Sequence, residues 1–279
     1  MDTDKRMIIG GDLSRALRGD YHLGFAATLK NAWQLSLQYM PQLLLGGIVL
    51  ILMSSIVISL ILGDQLRAFL SIVEAVQNGA ELTADKQQQA SMTLMQMQLV
   101  YQIVSAPLWG GIFLMGIHQS IGLKTRVRDI FAGFSRLLPL ITVAVVGFLI
   151  SQLGQYVLAL VSPVLSILFQ SYCTLIFILA MPLCMERQLS PLRSLYASTL
   201  IVNKKITVFA ALYALIGILL VLTPITYGLV GIIAFPLLVT TTGVIYREAV
   251  GVEVRLRGDD NDRGNGNTNV TDNNDSWSA

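Results

Sequence analysis

Side chains able to run acid–base, nucleophilic or metal chemistry are few and scattered. His22 and His118, with Cys173 and Cys184, are the only histidines and cysteines in the chain, and they stand far apart. That leaves little material for a zinc site or a Cys–His nucleophilic pair. The cysteines are eleven residues apart, about 16 Å along one helix and beyond disulfide reach; both are read as inert apolar thiols. His22 sits in a polar stretch without a ligand partner, and His118 falls at the inner end of an apolar run, where a structural role is expected. Near the C-terminus Asp259, Asn261 and Gly264 have the spacing of a calcium loop, but Arg263 takes a ligand position and Val270 stands where the closing Glu belongs. No catalytic residue, metal site or cofactor is expected, and the chain is read as a non-enzyme.

Uncharged polar residues inside apolar runs are more informative. Gln170 and Tyr172 fall near the middle of one expected span, and Gln152 and Gln155 toward the outer end of the span before it. These four form a candidate intramembrane polar site. Each serves either as an interhelical hydrogen bond, worth about 0.6 kcal/mol, or as a contact for a substrate. Pro107, Trp109, Gly110 and Gly111 interrupt a third run, where a kink, a close helix contact or a gating hinge is the choice. Gly147, Ser151 and Gly154, and separately Ala210, Ala214 and Gly217, offer small faces for close packing.

These residues are positioned by a membrane bundle. Of 279 residues 54% are hydrophobic and only 13% charged, with a mean hydropathy of +0.65, against about 25% charged in soluble domains. Charge-free runs cover 31–63, 87–123, 137–185 and 206–246. A charge at the centre of a spanning helix costs roughly 2.5–3.5 kcal/mol, so these runs mark the spans. The first two hold one span each, near 43–62 and 99–121. The last two are long enough for two each, turning near 156–163 and near Thr223, Pro224 and Gly228. The expected fold is all-α, six transmembrane helices as three hairpins.

Each hairpin is preceded by an amphipathic segment read as a cytoplasmic interfacial helix. The first carries Leu29, Trp33, Leu37 and Met40. The second carries Val127, Ile130, Phe131, Phe134 and Leu137. The third, capped by Ser190 and Pro191, carries Leu192, Leu195, Tyr196 and Thr199. The expected organisation is a polar cytoplasmic N-terminus (1–22), a six-helix membrane domain (23–257) with an external helical loop (about 63–98), and an Asn- and Asp-rich disordered tail (258–279). In the loop Leu66, Phe69, Leu70, Val73 and Val76 predict a helix ending at Asn78 and Gly79, with Thr83 capping the next.

Lys and Arg settle the orientation. Counted between spans, all of the 19 except Arg67 and Lys86 fall on one side, which the positive-inside rule makes cytoplasmic, both termini included. The glycosylation sequon at Asn269 then faces the wrong compartment. The first apolar run begins past residue 40, so span one is expected to remain as an uncleaved anchor. Lys124, Arg126, Arg128, Arg136, Arg193, Lys204 and Lys205 are the candidate lipid-headgroup contacts, each worth about 1 kcal/mol against an anionic leaflet. With a net charge of +2, no nucleic acid is expected.

Three segments carry a family likeness: LTADKQQQASMTL, GGIFLMGIHQSIGLKTRVRDIFAGFSRLLPL and AMPLCMERQLSPLRSLYASTLIVNKK. In order, loop length and Gly/Pro placement the chain resembles the YciC-like family of bacterial inner-membrane proteins, whose members share a six-helix plan and have no settled biochemical activity. The Asn-rich tail departs from that family's short C-terminus. The resemblance implies a bacterial inner (plasma) membrane. The function expected is non-catalytic, as a scaffold or lipid-associated envelope-maintenance factor, with a transporter or channel for a lipid or small amphiphile as the alternative. Expected partners are membrane lipids, anionic ones above all, and a second copy of the chain or other membrane proteins.

Overall fold

The computed structural model describes residues 6–79 and 83–255; the C-terminal tail, with its calcium-like loop and sequon, lies outside them. In chain order the elements are β1 (Arg6–Ile9), α1 (Leu13–Arg18), α2 (Phe25–Gln77), α3 (Ala84–Ser120), a 3-10 helix η1 (Val127–Arg136), α4 (Leu137–Ala159), α5 (Pro163–Ile176), α6 (Ala180–Glu186), α7 (Pro191–Lys204), α8 (Ile206–Ile225), α9 (Gly231–Ala249) and β2 (Val252–Arg255). Among the described residues six stretches are long and apolar enough to cross a membrane: α2, α3, η1 with α4, α5 with α6, α8, and α9. The architecture is that of a multi-pass helical membrane protein.

α3 and α9 form its centre. The most apolar windows of these two are 61% and 67% buried, against 17–33% in the other four. They meet where Gly116 faces Gly243, and a Cβ on Gly243 would overlap the Gly116 carbonyl, so the absence of side chains sets how near the backbones come. α2 lies along both. Leu43 and Leu50 pack with Leu108, Ile112 and Met115, and Thr240 on α9 donates from Oγ1 to the Ala32 carbonyl at 3.0 Å. α4 and α5 run antiparallel on the other side of α3: Gly154 has no room for a Cβ against the Phe169 ring. The small face of α4 packs as its sequence suggests. That of α8 does not: Ala210 and Ala214 are exposed, Gly217 has open space where a Cβ would stand, and α8 buries Phe209, Leu212 and Ile216 instead.

The amphipathic segments depart from the expected pattern in three ways. The first is not a separate helix, because α2 continues through Pro41 into the apolar run; the break comes later, at Leu62, where non-helical φ/ψ kinks the chain before it goes on to Gln77. The second is wound as a 3-10 helix. At three residues per turn the α-type stripe divides: Ile130 and Gly133 are buried, while Phe131 and Phe134, with Arg128 on the same line, face outward. The third begins at Ser190 and Pro191 but buries Ser194, Leu195, Ala197, Ser198, Ile201 and Val202, leaving Leu192 66% and Tyr196 68% exposed.

The N-terminal stretch is folded onto the bundle. β1 pairs antiparallel with β2, Ile9 opposite Val252 and Arg6 opposite Arg255, and Gly10, at φ +99°, turns the chain tightly against the Arg247 carbonyl. Asp12 caps α1, accepting from the Ser14 amide and hydroxyl, and those bonds hold its carboxyl below the ordinary value. Ala16, Tyr21 and Leu23 then join the core with Ile201, Val202, Tyr246 and Val250. Tyr21 donates to the Ile201 carbonyl at 2.7 Å, and burial raises its phenol above the usual range.

Candidate functional site

Among the described residues two places gather polar side chains, at opposite levels of the bundle. The first is a groove of about 350 Å³ between α3, α4 and α5. Its deep wall is Trp109, Phe113, Phe148, Phe177, Met181 and Leu238; its rim is Gln98, Tyr101, Gln102, Ser151, Gln170 and Thr174. Helix pairing explains why the polar groups meet there. The Gln152 amide on α4 donates to Gln98 Oε1 on α3 at 3.1 Å, and the Gly154–Phe169 contact brings Gln170 on α5 to the same level. Three glutamines from three helices thus occupy one layer.

Of the four sequence-derived intramembrane residues, the structure brings Gln152 and Gln170 to this layer and puts only Gln170 in the groove lining. Gln170 Oε1 is buried and has no hydrogen-bond partner among the described residues. Tyr172 points away, its hydroxyl donating to Asn203 Oδ1 at 3.0 Å on the exposed surface, and Gln155 lines no part of the groove. Gln98, Tyr101 and Gln102 belong to the site and were not singled out from sequence. Tyr101 and Gln102 fall inside the expected second span and Gln98 just before it, where polar residues clustered at one end of a span are the available signal.

Trp109 joins groove and core. Its ring packs against Phe113 and Phe235 with centroids 5.3 and 5.8 Å away, and its Nε1–H donates to the Tyr101 oxygen at 3.3 Å. The neighbouring glycine does something else. A Cβ on Gly111 would overlap the Ile130 carbonyl, and one on Gly133 the Pro107 carbonyl. α3 runs through Pro107 as continuous helix, so the Pro107–Gly111 segment serves here as a seat for η1.

The second polar place is the end of the bundle nearest the described termini. Glu186 accepts from the Tyr246 hydroxyl at 2.7 Å and pairs with Arg187 at 3.1 Å, the two charged side chains being only 6% and 12% exposed. Arg187 also donates to the Val250 and Gly251 carbonyls, both at 3.1 Å. Arg247 donates to the Ser120 carbonyl and lies 3.4 Å from Glu248, which accepts from Thr28 at 3.1 Å. Charges buried this deeply persist only when paired. They tie the ends of α2, α3, α6 and α9 together; in the sequence Arg187 and Arg247 count only among the charges between spans, and nothing there pairs them with Glu186 and Glu248. A cavity of about 400 Å³ beside α1 is lined by Asp12, Arg15, Asp20, His22, Arg247 and Glu248. His118, half-buried at the end of α3, lies within electrostatic reach of Asp129 and Glu186. Among the described residues no three His, Cys, Asp or Glu side chains are grouped to hold a metal.

The headgroup candidates fall around this same end. Lys124, Arg126, Arg128, Arg193 and Lys204 are exposed. Arg136 is turned inward, donating to the Cys184 carbonyl at 2.8 Å, and Lys205 is half-buried at the junction of α7 and α8. Lys204 spreads its stem over Gly19. No protein-family model, curated protein or solved structure matches the chain.

Proposed function

We propose that this chain is a non-catalytic, lipid-associated multi-pass protein of the bacterial inner membrane, with both termini cytoplasmic. The observation that carries the reading is the outer face of η1. Phe131 and Phe134 stand 45% and 44% exposed, their rings 6.0 Å apart, on the same line as Arg128 and beside exposed Arg126 and Lys124. Two phenyl rings flanked by cations suit the level where acyl chains meet anionic headgroups. The pairing of Glu186 with Tyr246 and Arg187 supports a structural role for the buried charges and thus a chain without catalysis. Native mass spectrometry of protein released in mild detergent tests this. The combined Lys124→Gln, Arg126→Gln and Arg128→Gln variant should retain several-fold less phosphatidylglycerol and cardiolipin than the parent at unchanged zwitterionic lipid; equal retention overturns the reading.

A second reading, a transporter or channel for a lipid or small amphiphile, draws on the groove between α3, α4 and α5. Proteoliposomes that move a labelled amphiphile between leaflets, compared with protein-free vesicles, decide between binding and transport.

A further inference from the structure

We propose that the groove takes one uncharged, hydroxyl-bearing single-chain amphiphile of the monoacylglycerol type, distinct from the anionic lipids held at the basic end. The inference rests on the lipid-associated reading and names the ligand class of one site.

Depth comes first. α4 has 23 residues, about 34 Å of helix at 1.5 Å per residue, and Gln152 lies seven residues before its last, Ala159, about 10 Å below that end. The layer of Gln98, Gln152 and Gln170 therefore sits inside a hydrocarbon core of about 30 Å. Polar atoms at that depth are costly unless bonded. Gln152 and Gln98 bond each other; the buried Oε1 of Gln170 has no partner among the described residues and can only accept. That oxygen is covered in the ligand-free chain, and rotation of the Gln170 amide toward the groove it lines lets a donor-bearing ligand satisfy it.

The rest of the rim narrows the class. The Tyr101 oxygen accepts from Trp109 Nε1, which leaves its own O–H to donate, and Gln98, accepting through Oε1, keeps its amide hydrogens to give. With Gln102 adding a further amide to the lining, the groove offers both acceptors and donors, which complements a hydroxyl or a small diol. Every described residue lining the groove is uncharged, so a phosphate head would be buried without a counter-ion, a heavy penalty. Below the rim the wall is aromatic and aliphatic. About 350 Å³ holds roughly a dozen groups of water or methylene size at about 30 Å³ each, room for one medium-length chain.

The test is native mass spectrometry on the full chain, titrated with a monoacylglycerol and with lysophosphatidylglycerol of equal chain length. The parent should bind one monoacylglycerol at least tenfold tighter than the lyso-phospholipid. Gln170→Leu, which replaces a buried orphan oxygen with apolar volume and should leave the fold intact, weakens monoacylglycerol about tenfold. Thr174→Phe, entering from an exposed position on the rim, blocks it without disturbing the core. Equal affinity for both amphiphiles, or binding insensitive to both substitutions, overturns the proposal. Retention of phosphatidylglycerol in the Gln170→Leu protein is the separate readout of the lipid-associated reading. If it persists while monoacylglycerol binding fails to appear, only the groove assignment falls.

Discussion

At the scale of single residues, Tyr21 shows how a polar tip is accommodated in an apolar core. Its ring is buried among α7 and α9 side chains and its hydroxyl reaches the Ile201 carbonyl at 2.7 Å. The phenol stays protonated in the folded state because burial disfavours the phenolate. A folded-state value raised above the ordinary 10.0 means the bond counts in full below about pH 10 and is lost as pH climbs beyond it, since only the unfolded chain ionises. Tyr21→Phe should therefore lower stability by about 1 kcal/mol at pH 8 and show a flatter decline between pH 9 and 11 than the parent. Thermal unfolding in detergent at both limits checks it; parallel declines would show that Tyr21 does not titrate with unfolding.

At the scale of elements, the seat of η1 on α3 decides which of its side chains face outward. Gly111 and Gly133 let two backbones touch, and the 3-10 winding directs Ile130 inward and Phe131 and Phe134 outward. Gly111→Ala forces that contact apart and should cost about 1–3 kcal/mol as an overpacking change, with loss of bound anionic lipid as η1 lifts. Gly217→Ala, on a helix face with open space, should be neutral or stabilising by up to about 1 kcal/mol, because alanine is the better helix former. Melting both variants side by side checks the contrast. A Gly111→Ala protein as stable as the parent would mean that η1 is not docked in this way.

At the scale of the whole molecule, the two described chain ends are stapled together. β1 and β2 form one ribbon, α1 packs beside them, and the Glu186, Arg187, Arg247 and Glu248 pairs seal the end of the bundle beneath. This makes the basic end a single folded surface. Under the proposed orientation a fluorescent or phosphatase reporter fused after Ala279 should score as cytoplasmic, and one inserted at Gly79, the turn between α2 and α3, as periplasmic. The opposite pair of results would invert the orientation and move every proposed headgroup contact to the wrong leaflet.

Much of this was legible in the chain itself. Transfer of each residue into lipid is a local and nearly additive cost, so hydropathy runs located six helices, while Pro163, Ser190, Thr83 and Gly79 marked starts and stops by backbone rules that need no partner. What only the tertiary structure decided depends on contacts between residues distant in sequence. The meeting of Gln98, Gln152 and Gln170 follows from the register of α3, α4 and α5, set by Gly154 against Phe169 and by the α3–η1 seat. The pairing of Glu186 with Tyr246 and the split face of η1 have the same origin. Hydropathy fixes how deep each helix sits on average, but which side chains share a layer is set by where two backbones can approach, and a single chain read in order does not contain that distance.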